Sequence, residues 1–265
     1  MSIAFFDIDG TLLPHPSLER RFFWNLFRAG KIPVGNYFRW AAEMFRHGGA
    51  EFSVAAQCNK TYLRGVWSGV ISEMSRETRW VPEFFPAALQ RVWWHALHGD
   101  TIVLVTGTLA PLAEIVKSAL ERELLLRGVE TRISIIATQL TIQAGCWTGR
   151  VSGSPMFGEA KAAAIRGFAQ ARADSLQECA AYGDHLLDQF MLEAVGNRIA
   201  VNPTLGLRRV ALRKGWLVAI WTSCPRRTPG ARHALEWKGK QCNEYARTAR
   251  SPAREHLISS ADQFK

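Results

Sequence analysis

Two aspartates, Asp7 and Asp9, follow directly after the short apolar run Ile3 to Phe6. Residues i and i+2 of an extended chain point to the same side, so both carboxylates can face one ligand beyond the end of a strand. Gly10 comes next and favours a tight turn there. A pair of acids at this spacing is weak evidence by itself, because solvated loop acids are common.

A second pair of carboxylates strengthens the evidence. Asp184 and Asp188 follow another short apolar run, Ala180 to Tyr182. Carboxylates gathered in one place repel one another, and a divalent cation such as Mg²⁺ makes such a group tolerable. The two acidic pairs therefore predict a metal site.

Three further residues predict that the ligand is an anion. Lys161 is the cation in the small-residue segment GEAKAAAI. Thr106 and Gly107 supply a hydroxyl and a backbone N–H at the expected start of a helix, where anions bind. Carboxylates and metal on one side, with Thr106, Gly107 and Lys161 on the other, predict a phosphate site. Taken singly, the lysine is more often a surface residue and the threonine a helix cap.

The elements that must position these residues follow a regular alternation. Short apolar runs alternate with helical patterns, which predicts a parallel sheet with helices on both faces. The runs are Ile3 to Phe6, Ile102 to Val105, Ile133 to Ala137, Ala180 to Tyr182 and Ile199 to Val201. The helical patterns between them are Leu109 to Leu126, Glu159 to Ala171, Asp188 to Val195 and Leu205 to Lys214. Open sheets of this kind bind ligands at the carboxyl ends of their strands, where the candidate residues fall.

Two segments interrupt the alternation. Residues 14–97 contain helical patterns without a convincing strand and predict an all-helical insertion after the first strand. Leu140 to Val151 alternates around glycines and predicts an antiparallel hairpin that flanks the sheet. The basic stretch 222–265 sustains no apolar periodicity and is predicted to be a disordered or loosely docked tail.

Composition limits the class of protein. The chain has 265 residues, 48% hydrophobic and 21% charged, with a formal net charge of +10. No apolar run approaches the roughly 18 residues of a membrane-spanning helix, and the start lacks a secretory pattern, so we expect a cytoplasmic protein. Half of the positive excess lies in 222–265, which makes nucleic-acid binding by the folded part an unlikely function.

Four sequence segments resemble the motifs of the haloacid dehalogenase superfamily, in the family's order. They are FFDIDGTLL, LVTGT, FGEAKAAAI and YGDHLLDQFML, the last followed by AVNP. The resemblance covers about residues 3–220 and is to the phosphoserine-phosphatase branch. It implies a Rossmann-like α/β core formed by 1–13 and 98–221, with 14–97 as a helical cap.

The resemblance also implies roles for the acidic residues. Asp7 would be the nucleophile that forms an aspartyl-phosphate, and Asp9 the general acid and base. Mg²⁺ would be held by Asp7, the backbone carbonyl of Asp9, and Asp184. Asp188 would position Lys161 or a metal-bound water.

The remaining motif residues would act on the phosphoryl group or the loop. Thr106, the Gly107 amide and Lys161 would neutralise the phosphoryl oxygens. Thr11 would support the loop, and Gly10 would serve its tight turn.

Some positions depart from the phosphoserine-phosphatase pattern. Pro16 stands where the family commonly has a substrate-reading glutamate, and Glu19 follows three residues later. Leu187 and His185 replace the usual asparagine and serine of the fourth motif. His185 is either a packing residue or a substrate contact. These changes argue against phosphoserine as substrate and leave phosphoester hydrolysis intact.

The cap sequence leaves two interpretations open. Residues 20–46 hold six basic residues and one acid, interleaved with aromatics. Aromatics at helical spacing are usually core residues, and this is the favoured interpretation. The alternative is a face that contacts an anionic membrane or admits a lipid-like substrate.

Three functions therefore compete. The favoured one is a Mg²⁺-dependent phosphomonoesterase acting on a small phosphorylated metabolite. The second is a phospholipid-phosphate phosphatase, similar to those acting on phosphatidylglycerophosphate, peripheral at the membrane. The third is a non-catalytic binding protein whose tail contacts nucleic acid, which the complete catalytic set argues against. The sequence makes no prediction of oligomeric state.

Overall fold

The structure is a computed structural model that describes residues 2–46, 59–75, 80 and 82–223. Apart from residues 222 and 223, the predicted tail lies outside the described residues. So do parts of the predicted cap.

A seven-stranded sheet forms the centre, in the order β4-β3-β2-β1-β5-β6-β7. All neighbouring pairs are parallel except β3 with β4. The strands are β1 (Ile3–Phe6), β2 (Thr101–Leu109), β3 (Ser134–Gln143), β4 (Cys146–Ser152), β5 (Ala180–Gly183), β6 (Asn197–Val201) and β7 (Leu217–Ala219). The predicted α/β fold is confirmed, although the short strand β7 was not predicted.

The central strand β1 shows why the sheet is covered on both faces. All four of its residues are buried, and alternate side chains point to opposite faces of a strand. Ala4 and Phe6 belong to one apolar cluster, whereas Ile3 and Phe5 belong to the other. Each face therefore needs its own layer of helices.

The helices supply those layers and the insertion. They are α1 (Leu18–Arg28), α2 (Val34–Arg46), α3 (Val70–Ser75), α4 (Pro86–Leu97), α5 (Ala110–Leu126), α6 (Glu159–Ala171), α7 (Gln189–Glu193) and α8 (Leu205–Lys214). Two 3-10 helices, Thr61–Leu63 and Leu186–Asp188, complete the described elements. The bounds of α6 and α8 match the sequence prediction.

The last helix of the predicted cap lies on the sheet. Contacts join α4 to β2 and α5, and His95 of α4 packs edge-on against Phe6 of β1. The division into core and cap at residue 97 stays a prediction, but α4 packs with the core elements.

The predicted hairpin belongs to the sheet, so the expectation that it flanks the sheet was wrong. The first half of β3 pairs in parallel with β2, and its second half pairs antiparallel with β4. No glycine or proline interrupts β3, and the chain turns only at Ala144 and Gly145, both with positive φ. One long strand therefore joins the parallel sheet to the hairpin.

Membrane-spanning helices are absent among the residues that the structure describes, because none of their helices is both long and apolar enough.

Candidate active site

The candidate residues meet at the carboxyl ends of β1, β2 and β5. Asp7 and Asp9 follow β1, Asp184 follows β5, and Thr106 and Gly107 lie near the end of β2. They line a cavity of about 1010 Å³ between the sheet and the insertion. The topology therefore gathers residues from distant parts of the chain, as the sequence predicted.

Three buried carboxylates and one lysine form the floor of this cavity. Oxygens of Asp7, Asp184 and Asp188 lie within 4.8 Å of one another. The Lys161 Nζ donates to Asp7 Oδ1 at 2.5 Å and to Asp188 Oδ1 at 2.7 Å. The lysine thus links the first and fourth motifs from the start of α6.

The buried charges on the cavity floor shift the pKa values of Lys161 and Asp7. Burial alone would lower the pKa of Lys161, but Asp188 and Asp7 raise it above its ordinary value. Burial raises the pKa of Asp7, and Asp188 and Asp184 add to this effect while Lys161 opposes it. Lys161 is therefore charged at neutral pH, and the carboxylates need further positive charge to ionise together.

Asp188 is held so that it can position Lys161. Its Oδ2 accepts the backbone N–H of His185 at 3.0 Å, while its Oδ1 accepts from the lysine. The His185 ring in turn accepts the Leu187 N–H at 3.3 Å and also lines the cavity. Both of the roles that the sequence allows for His185, packing and substrate contact, therefore stay predictions.

Asp9 has different surroundings. Its Oδ2 accepts from the Thr108 hydroxyl at 2.5 Å, and its Oδ1 accepts the Leu18 N–H at the start of α1 at 2.7 Å. Burial raises the pKa of Asp9, and these two hydrogen bonds oppose the rise. A carboxyl with a raised pKa, held in one orientation, suits general acid–base chemistry.

The expectation that Thr106 and Gly107 start a helix was wrong, since α5 begins at Ala110. They lie inside β2, where the pairing with β3 shifts between Thr106 and Leu109. Within this irregular part of β2, Thr106 Oγ1 accepts the Thr108 N–H at 3.1 Å. The shift directs Thr108 to Asp9, a contact that the sequence did not predict.

Two glycines allow close approaches within the site. A β-carbon on Gly107 would lie 2.0 Å from the Phe157 ring, which also lines the cavity. A β-carbon on Gly10, whose φ is +86°, would lie 2.3 Å from Asp184 Oδ2. Thr11 is fully buried next to this turn, and within the described chain its hydroxyl has no hydrogen-bond partner.

The insertion forms the wall above the floor. Glu19 accepts from the Lys60 ammonium and, at 3.0 Å, from the Tyr62 hydroxyl. Sequence reasoning missed Lys60 and Tyr62, because nothing in the segment NKTYL marks them as site residues. The aromatic side chains Phe23, Trp24 and Trp40 complete this wall.

The donor set fits a divalent cation. Three carboxylates and one ammonium, all buried, leave the floor with a formal charge of −2. Hard cations such as Mg²⁺ prefer oxygen ligands. Asp7 and Asp184 are the better ligands, because both oxygens of Asp188 already accept hydrogen bonds.

The lysine and the acids lie together at the carboxyl ends of parallel strands, where open α/β sheets bind their ligands. The sequence model of the haloacid dehalogenase-like hydrolases matches residues 4–193, and the chain belongs to this family. It is therefore an enzyme of the hydrolase class.

The chain is also similar to curated proteins and to solved structures. The "Inhibition of morphological differentiation protein" of Streptomyces azureus is 30% identical over 80% of this chain and 76% of its own. A probable phosphatase of Mycobacterium tuberculosis is 28% identical over 81% of this chain and 74% of its own.

Among solved structures, a Bordetella pertussis protein of unknown function is 28% identical, with a TM-score of 0.64 over 82% of this chain and 97% of its own. A substrate-bound phosphoserine phosphatase is 17% identical, with a TM-score of 0.55 over 84% of this chain and 93% of its own. The latter similarity is one of fold.

Proposed function

We propose that this enzyme is a Mg²⁺-dependent phosphatase that hydrolyses a phosphomonoester through an aspartyl-phosphate. One observation carries the proposal: the Lys161 ammonium lies 2.5 Å from Asp7 and 2.7 Å from Asp188 on the floor of the cavity. A cation beside a carboxylate nucleophile is what an incoming phosphoryl dianion requires.

Asp7 and Asp9 divide the reaction into two steps. An Asp7 carboxylate oxygen attacks phosphorus, the bond to the alcohol oxygen breaks, and Asp9 donates a proton to that oxygen. Asp9 then takes a proton from water as the water oxygen attacks the aspartyl-phosphate. The Asp7–phosphorus linkage breaks and inorganic phosphate leaves.

The other residues bind and orient the phosphoryl group. Lys161, the Thr106 hydroxyl and the Gly107 amide neutralise its oxygens, where phosphoryl transfer gains most of its stabilisation. Asp188 keeps the lysine in place. Asp7, Asp184 and the backbone carbonyl of Asp9 would hold Mg²⁺, which would supply positive charge to the same phosphoryl oxygens.

The wall of the cavity argues against phosphoserine as the substrate. Glu19 is already paired with Lys60 and Tyr62, so it has little capacity to read a substrate ammonium group. A small phosphorylated metabolite of another kind remains the favoured soluble substrate. A non-catalytic binding protein is disfavoured, since the costly buried charges of the floor serve no purpose without turnover.

The first test uses Asp7→Asn in the full chain, with para-nitrophenyl phosphate as the probe and excess Mg²⁺. We expect turnover to fall by about 10³-fold or more, because an amide is a poor nucleophile. Asp174→Asn is the matched control, because this residue pairs with Arg172 at the surface. Substantial turnover by pure Asp7→Asn protein would show that another group attacks phosphorus.

The second test removes the metal. Excess EDTA should abolish turnover of the wild-type enzyme, and added Mg²⁺ should restore it. Ca²⁺ should substitute poorly, because its looser coordination admits a bidentate carboxylate and spoils Asp7 for attack. Full activity after chelation would contradict the metal requirement.

A further inference from the structure

The first two helices of the insertion expose large apolar side chains. On α1, Trp24 is 45% exposed and Phe27 is 48% exposed. On α2, Val34 is 71% exposed and Phe38 is 74% exposed. We call these four residues the aromatic face. The expectation that the cap aromatics are core residues holds for Phe22, which is buried, and in part for Phe23, Tyr37 and Trp40, which pack against the core. It does not hold for Trp24, Phe27 and Phe38.

The aromatic face adjoins the cavity. The rings of Phe27 and Tyr37 are 5.9 Å apart, so α1 and α2 touch beside the face. Trp24 both contacts Phe27 and lines the cavity. A ligand seated on the face therefore lies at the entrance to the catalytic floor.

The two helices of the aromatic face also carry exposed arginines. Arg20, Arg28 and Arg39 are exposed on the same two helices. Glu19, the acid in the first turn of α1, is paired with Lys60, and Glu43 is the one acid of α2. A helix surface that combines exposed aromatics with arginines has the composition of an interfacial membrane surface.

We propose that the aromatic face docks on an anionic lipid bilayer, so that the cavity receives a lipid phosphomonoester from that bilayer. This inference rests on the proposed phosphatase function and adds its substrate class. The aromatics enter the boundary between headgroups and acyl chains, while the arginines contact anionic headgroups. Glu19 is neutralised by Lys60, and aromatic side chains line the cavity wall. The cavity therefore suits a substrate whose alcohol portion is apolar better than one whose alcohol portion is zwitterionic.

The charge pattern favours a bilayer over a second copy of the chain. In a two-fold dimer the same patch faces itself, so the arginines of one copy would approach those of the other. An anionic surface pairs each of them with opposite charge. The exposed leucines Leu205 and Leu212 on α8 provide a comparison, because they are also apolar but lie on a different element.

The binding test sediments the full chain with phosphatidylcholine vesicles, with and without about 30% phosphatidylserine. At about 0.1 M salt we expect binding that requires phosphatidylserine and disappears at about 1 M, where the Debye length is about 3 Å. Arg28→Glu with Arg39→Glu should weaken binding by about 25-fold or more, since each arginine contributes about fivefold. Phe27→Ser with Phe38→Ser should also weaken it.

Matched controls carry the same changes on α8. Arg209→Glu with Arg213→Glu, and Leu205→Ser with Leu212→Ser, should bind vesicles like the wild type. Equal loss in these controls would show that general charge or apolarity, not the aromatic face, causes binding. Failure of the wild type to bind anionic vesicles, or concentration-dependent dimerisation abolished by Phe27→Ser with Phe38→Ser, would also overturn the proposal.

The activity test separates this inference from the proposed function. Both double variants, Phe27→Ser with Phe38→Ser and Arg28→Glu with Arg39→Glu, should lose turnover of phosphatidic acid in phosphatidylserine-containing vesicles and keep turnover of para-nitrophenyl phosphate. Equal activity of wild type and variants on phosphatidic acid in vesicles would refute docking while the phosphatase function stands. If the wild-type enzyme hydrolysed neither phosphatidic acid nor para-nitrophenyl phosphate, the phosphatase function itself would be refuted.

Discussion

At the scale of single residues, two aspartates of one motif have different partners. Asp7 faces Lys161, whereas Asp9 is held by the Thr108 hydroxyl and the Leu18 N–H. Burial raises the pKa of both carboxyls; the Lys161 ammonium opposes the rise for Asp7, and the two neutral donors oppose it for Asp9. This division of surroundings supports the division of roles that we propose.

Thr108→Val tests the orientation of Asp9. Removing the hydroxyl frees one carboxylate oxygen, and we expect kcat to fall by about 10- to 100-fold with a smaller change in KM. Steady-state kinetics with para-nitrophenyl phosphate measures both. Thr108→Ser keeps the hydroxyl and should retain most of the activity, whereas equal loss in both variants would point to a packing effect.

Gly107→Ala tests the close approach of Phe157. The new methyl group would lie 2.0 Å from the ring, so either the ring or the strand must move. We expect turnover to fall by about 10-fold or more, because a displacement of about 1 Å near reacting atoms is costly. Adding Phe157→Leu should recover part of the loss. No recovery in the double variant would mean that the strand itself, not the ring, limits this position.

At the scale of elements, α1 joins the catalytic loop to the insertion. Its first N–H binds Asp9, and its buried face packs on the hairpin through Phe22, whose ring lies 6.0 Å from that of Trp147. The hairpin therefore supports the insertion from below. A change in this packing should move the start of α1 and thereby the Leu18 N–H that holds Asp9.

Phe22→Ala should lower the free energy of unfolding by about 3–5 kcal/mol, because the side chain is fully buried among aromatic neighbours. Phe38→Ala is the matched control on α2, where exposure predicts a change within about 0.5 kcal/mol. Urea unfolding measures both. Similar values for the two variants would contradict the packing described for α1.

At the scale of the whole molecule, a buried histidine joins α4 to the sheet. His95 Nδ1 lies 2.8 Å from Asp100 Oδ2, and its Nε2 lies 2.8 Å from the Tyr182 hydroxyl. Nδ1–H donates to Asp100 and the tyrosine hydroxyl donates to Nε2, which satisfies every group with a neutral ring. Burial lowers the pKa of His95, although Asp100 opposes the shift.

This histidine should make stability depend on pH. Its folded pKa lies below the ordinary value of 6.5, so as pH falls below that value the unfolded chain binds a proton and the folded chain does not. The stability that the neutral His95 contributes is present above about pH 6.5 and is lost as pH falls toward the folded pKa. His95→Gln should therefore melt at a lower temperature near pH 7, with a smaller further decrease between about pH 7 and about pH 5. If the melting temperatures of the wild type and of His95→Gln fell equally over this pH range, His95 would not be the source of the pH dependence.

Local sequence was sufficient to predict the parallel sheet, the helices α6 and α8, and the gathering of Asp7, Lys161 and Asp184. Apolar runs and helical periodicity are local, and parallel strands bring their carboxyl ends to one edge in any register. The chemistry-bearing side chains therefore share an edge even though Asp7 and Lys161 lie 154 residues apart.

Tertiary structure alone decided which neighbours these residues have. Thr108 reaches Asp9 across 99 residues because the β2 pairing shifts, and Lys60 neutralises Glu19 across 41 residues. The hairpin joins the sheet because β3 continues without a break, and Trp24, Phe27 and Phe38 stay exposed while Phe22 is buried. Such contacts depend on the register of strands and the rotation of each helix against its neighbours, and both are determined by packing between segments distant in the chain.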